Sequence, residues 1–404
     1  MKKYGDILKK AEELKQSIID LRRDFHQHPE LGLQEFNTAK KVEGVLKGLG
    51  IETKMLVKGT GVRGYLKGSR PGKTIALRAD MDALPIQEET DLPYQSQNKG
   101  VMHACGHDAH MAMLLGAATI LSEMRKELKG NVAFIFQPAE EIGAGAKAMV
   151  EEGVLEGVDR IFGLHVYSTL PFGTLNYRPG ALMAAGDFFD VKITGRGGHG
   201  AQPHLTIDPI VIAANAINAL QTIVSREVDP LESAVVSICK MNAGEAYNVV
   251  PETVTFGGTI RSHKPELRES LPKRVKEILE GVVSGMRGSY EFNLMSKFPA
   301  TINDEKMTAF VVRVAREILG EHQLLLMKPL MGSEDFSFYL QKIPGTFVFL
   351  GVENKEKGIL YPQHHPKFDI DEDILPIGTT LHVAVALEYL KGEEGNKFFF
   401  DVIS

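Results

Sequence analysis

The run His103-Ala104-Cys105-Gly106-His107-Asp108-Ala109-His110 gathers a thiol, three imidazoles and a carboxylate in one short stretch. These are the protein groups that bind zinc and related divalent ions. With only 2 cysteines in 404 residues, one falling inside such a cluster stands out. A Cys/His group with too few donors to close a coordination shell must take others from elsewhere in the chain. Suitable groups recur where short apolar runs stop. Thr74-Ile75-Ala76-Leu77 leads into Arg78-Ala79-Asp80-Met81-Asp82, and Val132–Phe136 into Gln137-Pro138-Ala139-Glu140-Glu141. Arg160–Leu164 leads to His165, and Gln363-His364-His365-Pro366 lies downstream of Thr346–Leu350. In open α/β sheets ligands bind beyond the carboxyl ends of the strands, so four such loops at one edge would make a metal site.

Each residue also has an ordinary reading. Asp80 and Asp82 suit turns and caps, and Glu140 and Glu141 suit the start of a helix. His165 fits a core histidine, His364 a loop histidine beside proline, and Cys105 a small buried apolar group. Singly, these readings are preferred; the joint placement at strand ends reverses the preference. Cys239, in a strand without acidic or histidine neighbours, is expected in the core.

The elements that must position these groups follow from periodicity. Residues 4–28 read as an amphipathic helix with Ile7, Ala11, Leu14, Ile18 and Phe25 on one side, ending at Pro29. Further helices are expected near 110–128, 143–152 and 304–319, alternating with the apolar strands above. This alternation predicts an α/β domain, a mixed and mostly parallel sheet with helices on both faces. Between about Gly186 and Lys297 the rhythm changes. Strands at Phe188–Thr194, Ser233–Met241, Thr253–Arg261 and Tyr290–Ser296 flank helices at Asp208–Arg226 and Pro265–Arg287, a β-α-β-β-α-β order. The expected organisation is a first domain of residues 1–185 and 299–404, with a ferredoxin-like domain, 186–298, inserted into it.

Composition narrows the function. Hydrophobic content of 43% and charged content of 24% are ordinary for a globular protein. A net charge of −6 argues against a general binder of nucleic acid or anionic membrane. No apolar run reaches the ~18–20 residues of a membrane span. The N-terminus leads into a Lys/Glu-rich helix rather than a secretion signal. So few cysteines fit a reducing, cytoplasmic setting. The terminal Phe398-Phe399-Phe400 reads as an exposed apolar tail.

At this point the motifs carry a resemblance. They are Phe25-His26-Gln27-His28-Pro29-Glu30-Leu31-Gly32, Leu77-Arg78-Ala79-Asp80-Met81-Asp82-Ala83-Leu84-Pro85, Met102-His103-Ala104-Cys105-Gly106-His107-Asp108 and Phe136-Gln137-Pro138-Ala139-Glu140-Glu141. Gly195-Arg196-Gly197-Gly198-His199-Gly200-Ala201, Asn248-Val249-Val250-Pro251 and Ser333-Glu334-Asp335-Phe336 follow in order. The chain resembles the aminoacylase/carboxypeptidase family of dinuclear metallohydrolases. Its nearest branch there holds the hippurate hydrolases, N-acyl-amino-acid amidohydrolases and auxin-conjugate hydrolases.

The resemblance implies that Cys105, His107, Glu141, His165 and His364 are metal ligands, that Asp82 stands behind them, and that Glu140 is the catalytic base. His364 is chosen over His365 by the pattern His-x-Pro-x-Phe, met by His364, Pro366 and Phe368. The resemblance also implies that the inserted domain is a lid that dimerises, with His199, Asn248 and Arg261 reaching the substrate. His199 would donate to the oxyanion; a plain turn histidine is its alternative, as a solvated strand-end arginine is for Arg261. The expected cofactor is a pair of divalent ions per subunit, zinc being favoured by the thiolate and manganese, cobalt or nickel also compatible. One departure stands out: true exopeptidases of the family show His-x-Asp where this chain has Asp80-Met81-Asp82. A ligand histidine is missing there, and Cys105 and His107 are expected to compensate. The implied activity is hydrolysis of N-acyl amino acids, hippurate-like or N-acetylated. The alternatives are a carboxypeptidase or dipeptidase, and a non-catalytic protein that keeps the fold or a closed structural zinc site.

Overall fold

The computed structural model describes residues 4–392, so the Phe398–Phe400 tail lies outside the described residues. Continuous apolar runs require strands buried on both faces, and they lie at the centre of an eight-stranded sheet. Arg70–Asp80 pairs in parallel with Lys129–Gln137 on one side and Arg160–Pro171 on the other. Gly345–Glu353 runs parallel to Arg160–Pro171 on its far side. Antiparallel strands at Glu52–Leu56 and Gly61–Lys67 extend one edge, and short strands at Leu175–Tyr177 and Leu324–Leu326 the other. The fold is thus mixed α/β around a mostly parallel sheet.

Register fixes what shares the site edge. Asp80 lies opposite Gln137, and Arg78 opposite Gly163, so His165 comes level with Asp80. His165 does not follow its strand, as the sequence suggested. That strand runs on to Pro171, with His165 buried inside it opposite Phe349.

Two helices, His107–Glu123 and Leu375–Leu390, are apolar nearly all round and buried. They approach closely: a Cβ on Gly378 would stand 2.0 Å from Met113 Sδ. The N-terminal amphipathic stretch forms two helices, Gly5–Glu13 and Lys15–Gln27, with a turn at Leu14. From the second, Arg22 is fully buried and donates Nε to Asp108 at 2.7 Å, Nη2 to Asp369 at 2.8 Å and Nη1 to Glu372 at 3.2 Å. His26 Nδ1 adds a 2.8 Å bond to the same Asp108 oxygen as Arg22. This cluster ties the first helices to the segment after His107 and to the chain after His364. Removing Arg22 leaves the buried Asp108 with only the His26 ring beside it and Glu372 with Arg23 alone. Arg22→Ala should therefore lower stability by about 3–5 kcal/mol, seen as an earlier urea midpoint. A loss under ~1 kcal/mol would show that the cluster behaves like a surface pair.

The chain divides into two units: 1–180 with 302–328 and 335–404, and 181–301 with 329–334. The second unit also includes Pro329–Glu334. Its antiparallel sheet runs Ala234–Ala243, Thr253–Ser262, Ala185–Thr194, Ser289–Phe298 in space. Alternate residues Phe189, Val191 and Ile193 are buried with Ile212, Leu220, Leu271 and Leu279 of the helices Pro209–Thr222 and Pro265–Gly285. Cys239 corrects one expectation, because it is exposed. The edge-strand register shifts between Ile238 and Lys240, which makes Cys239 the bulged residue and breaks the burial alternation there. Among the described residues no helix is long and apolar enough to cross a membrane.

Candidate metal centre

The cluster that opened the sequence is shaped by Gly106. It takes φ +89°, and a Cβ there would stand 2.4 Å from Val166 Cγ2, so only glycine fits. This turn places Cys105 and His107 on either side of the start of the buried helix. Cys105 Sγ lies 3.5 Å from His165 Nε2. Ligand atoms of Cys105, Glu141 and His364 fall within 4.8 Å of one another, as do those of His107, Glu140 and Glu141. Glu141 is common to both groups. His364 comes from a loop at φ +66°, held there by its N–H, which donates to Ala104 O at 2.7 Å. Its Nε2 stands 3.5 Å from Glu141 Oε1.

Hydrogen bonds settle which ring nitrogens face the cluster. His107 donates Nδ1–H to the Asp82 carbonyl at 2.9 Å, and His165 donates Nδ1–H to the Val166 carbonyl at 2.6 Å. This turns Nε2 of each ring towards the cluster, as backbone partners do for ligating imidazoles. Nε2 of His107 and Oε1 of Glu141 are buried without hydrogen-bond partners, 3.9 Å apart. Two buried atoms without hydrogen-bond partners facing each other, a thiol beside them and a second imidazole are a donor set that fits a soft-to-borderline dication.

The charges agree. Burial opposes a charge on His107, but Asp80, Asp82 and Glu141 outweigh it and push the imidazole up to about 10. Burial pushes the Cys105 thiol well up, and Glu141, Glu140 and Asp80 push the same way. The neighbouring carboxylates hold these protons, and a dication would displace them. Burial makes His165 strongly prefer its neutral form.

The remaining groups of the motif have other uses. His110 gives Nδ1 to Asp80 at 2.5 Å and accepts the Val166 N–H on Nε2 at 2.9 Å, so neither nitrogen is open to a metal. Asp80 is also bound by Arg78 Nη1 at 2.6 Å. Burial alone would raise its carboxyl; Arg78, His107 and His110 overcome this and hold it well below the usual range. The aspartate at the missing-histidine position is thus an ion-pair partner of Arg78 and His110. Asp108 faces Arg22 and His26. His103 is buried with neither nitrogen hydrogen-bonded, and burial keeps it neutral by pulling it down to about 3.

The Glu140-Glu141 loop is pinned from behind. Asp82 accepts the N–H of Glu140 and of Glu141, each at 3.0 Å, while its carbonyl holds His107. Asp335 accepts from Ala146 N at 3.0 Å, Gln137 Nε2 at 2.7 Å and Arg78 Nη2 at 3.2 Å. Sequence reading attached no role to Asp335, Arg78 or Glu35, whose carboxylate accepts the Ala139 N–H at 2.7 Å. The only available signal was their presence inside or near the motifs.

In the second unit, His199 is exposed on a short strand paired with Val249–Val250. Its Nδ1 accepts the Ala201 N–H at 3.0 Å, which leaves the proton on Nε2 as a donor. The Asn248 carbonyl accepts the Gly200 N–H at 2.8 Å, so this asparagine adjoins the His199 turn. Arg261 is half-buried, not a solvated strand-end group. Nε donates to Thr259 Oγ1 at 2.8 Å and Nη1 to Ser333 Oγ at 2.6 Å. Nη2 has no hydrogen-bond partner among the described residues.

The family described as Peptidase family M20/M25/M40 matches residues 76–388. The chain is 46% identical over 377 residues to the IAA-amino acid hydrolase ILR1-like 4 of Arabidopsis thaliana, covering 92% of this chain and 86% of that protein. It is 42% identical over 375 residues to an N-acetylcysteine deacetylase of Bacillus subtilis, covering 93% and 97%. A crystal structure of a Bacillus subtilis protein, titled a dinuclear metal binding peptidase from the M20 family, superposes with a TM-score of 0.83 at 39% identity, covering 94% of this chain and 99% of that one.

Proposed function

From the premise that the chain belongs to peptidase family M20/M25/M40, and so is a hydrolase acting on amides, we propose that it cleaves N-acyl amino acids, hippurate-like or N-acetylated. The observation that carries this reading is the Glu140-Glu141 pair, one carboxylate shared between both ligand groups and its neighbour beside it. The names of the deacetylase and the IAA-amino acid hydrolase support an amino acid on one side of the amide.

The residues fit a pair of divalent ions held by Cys105, His107, Glu141, His165 and His364. The thiolate favours zinc, and the imidazoles and carboxylate also accept manganese, cobalt or nickel; the dinuclear relative supports the count. When bound, such ions supply a water acidified towards a pKa of ~7 and a polarised carbonyl. Glu140 takes the water's proton and later delivers it to the departing amine. Asp82 keeps that carboxylate and the His107 ring in place. His199 offers Nε2–H to the oxyanion, Asn248 assists it, and Arg261 grips the substrate carboxylate through Nη2. The second unit serves as a lid and dimerisation domain of a cytoplasmic homodimer, a reading that two free cysteines accord with.

Turnover of N-acetyl and N-benzoyl amino acids, abolished by chelator, tests the activity. Converting the substrate's α-carboxylate to an amide should cost about 10–100-fold in kcat/KM, the worth of a charged hydrogen bond. Arg261→Lys should erase most of that discrimination. Equal rates for acid and amide would remove Arg261 from the reading. Faster release from dipeptides would make the specificity that of a carboxypeptidase.

A further inference from the structure

Three successive amides of one loop end on carboxylates: Ala139 on Glu35, and Glu140 and Glu141 on Asp82. Ala139 is the unusual member. It sits at φ +54°, a left-handed conformation in which a Cβ crowds the backbone. Such strain persists only where the surroundings over-determine it, and it gathers at functional sites. Here the surroundings are Glu35, fully buried with Oε1 2.7 Å from Ala139 N, and Gly32, where a Cβ would lie 3.2 Å from Ala139 Cα. Glu35 comes from a segment 104 residues earlier, before any strand of the sheet.

We propose that Glu35 is a positioning residue for Glu140, holding Ala139 in its left-handed turn so that the next two carboxylates point into the centre. The inference rests on Glu140 being the base. The second oxygen of Glu35 has no hydrogen-bond partner, so the contact to Ala139 is the main polar bond the side chain makes outside its own turn. Burial, aided by the charge of Asp82, raises Glu35 to about 8. Glutamine matches Glu35 in shape and keeps an oxygen that can accept the Ala139 N–H.

The test uses the full-length, metal-loaded enzyme with Glu35→Ala, Glu35→Gln, and Glu35→Ala combined with Ala139→Gly. Glu35→Ala should lower kcat by about 10²-fold, the effect of roughly 1 Å of misplacement, with KM within about threefold. By chelator competition its metal affinity should fall about 10–100-fold, as for an outer-shell partner. Glu35→Gln should stay close to the wild type. Glycine at 139 should restore about tenfold of the lost kcat, because glycine adopts a positive φ at no steric cost. A kcat unchanged by Glu35→Ala, a glutamine variant as impaired as the alanine, or no recovery with glycine would each overturn the proposal. If Glu35→Ala does not fold, Ala139→Val takes its place, since a β-branched residue resists this φ; an unchanged kcat there overturns it too. Failure of the base assignment looks different, because Glu140→Gln would then keep its turnover.

Discussion

Glu140→Gln should bind its metal normally and lose turnover by about 10³-fold, within the range that general acid–base catalysis contributes. Glutamine keeps the size of the side chain and the backbone N–H that Asp82 accepts at 3.0 Å. It cannot accept a proton at neutral pH. Glu141 is untouched, with its own N–H on the other Asp82 oxygen, so the ligand set survives. Elemental analysis should show wild-type metal content, and KM should change little, because the loss is confined to the transition state. A variant that keeps kcat within about tenfold, where a general base is worth ~10²–10⁴, would show that another group takes the proton.

Cys105→Ala should lose metal while the protein stays folded. The thiol lies beside His165 at 3.5 Å and within 4.8 Å of Glu141 and His364 ligand atoms. Removing a direct ligand should weaken binding by more than the ~10–100-fold typical of outer-shell partners. The core of the first unit is formed by apolar side chains such as Leu77, Phe134, Phe162, Leu115 and Val383, which do not need the ion to pack. Chelation and Cys105→Ala should therefore abolish activity with only a modest shift in melting temperature. Collapse of the fold on mild chelation would instead identify a structural zinc site. Unchanged metal stoichiometry in Cys105→Ala would take the thiol out of the ligand set.

These two results are expected from residues that the sequence exposes, because both lie in motifs whose local spacing has a chemical reason. Gly106 is needed for the Cys105–His107 turn, and adjacent glutamates follow a strand end. Glu35 is different. A buried acid in a segment of Gln34, Phe36 and Asn37 reads as one more polar residue, and its partner is an amide on a loop far along the chain. Asp80 is different again. Its position suggested a vacated ligand site, and only the contacts with Arg78 and His110 show why it is an ion-pair partner. Cys239 was misplaced because a bulge shifts the strand's alternation, which no periodicity announces.

The sequence by itself determined the central strands, part of the helices, the β-α-β-β-α-β order and the edge at which the polar loops collect. Those follow from hydrophobic period and length, which are local properties. Tertiary structure alone decided which nitrogen of each histidine is free, which carboxylates are already paired, and which residue bears backbone strain. Each of these depends on a partner distant in sequence, brought to hydrogen-bonding distance by parallel strand register and by helices packed at van der Waals contact. A partner already within hydrogen-bonding distance there separates an ion-pair partner from a ligand.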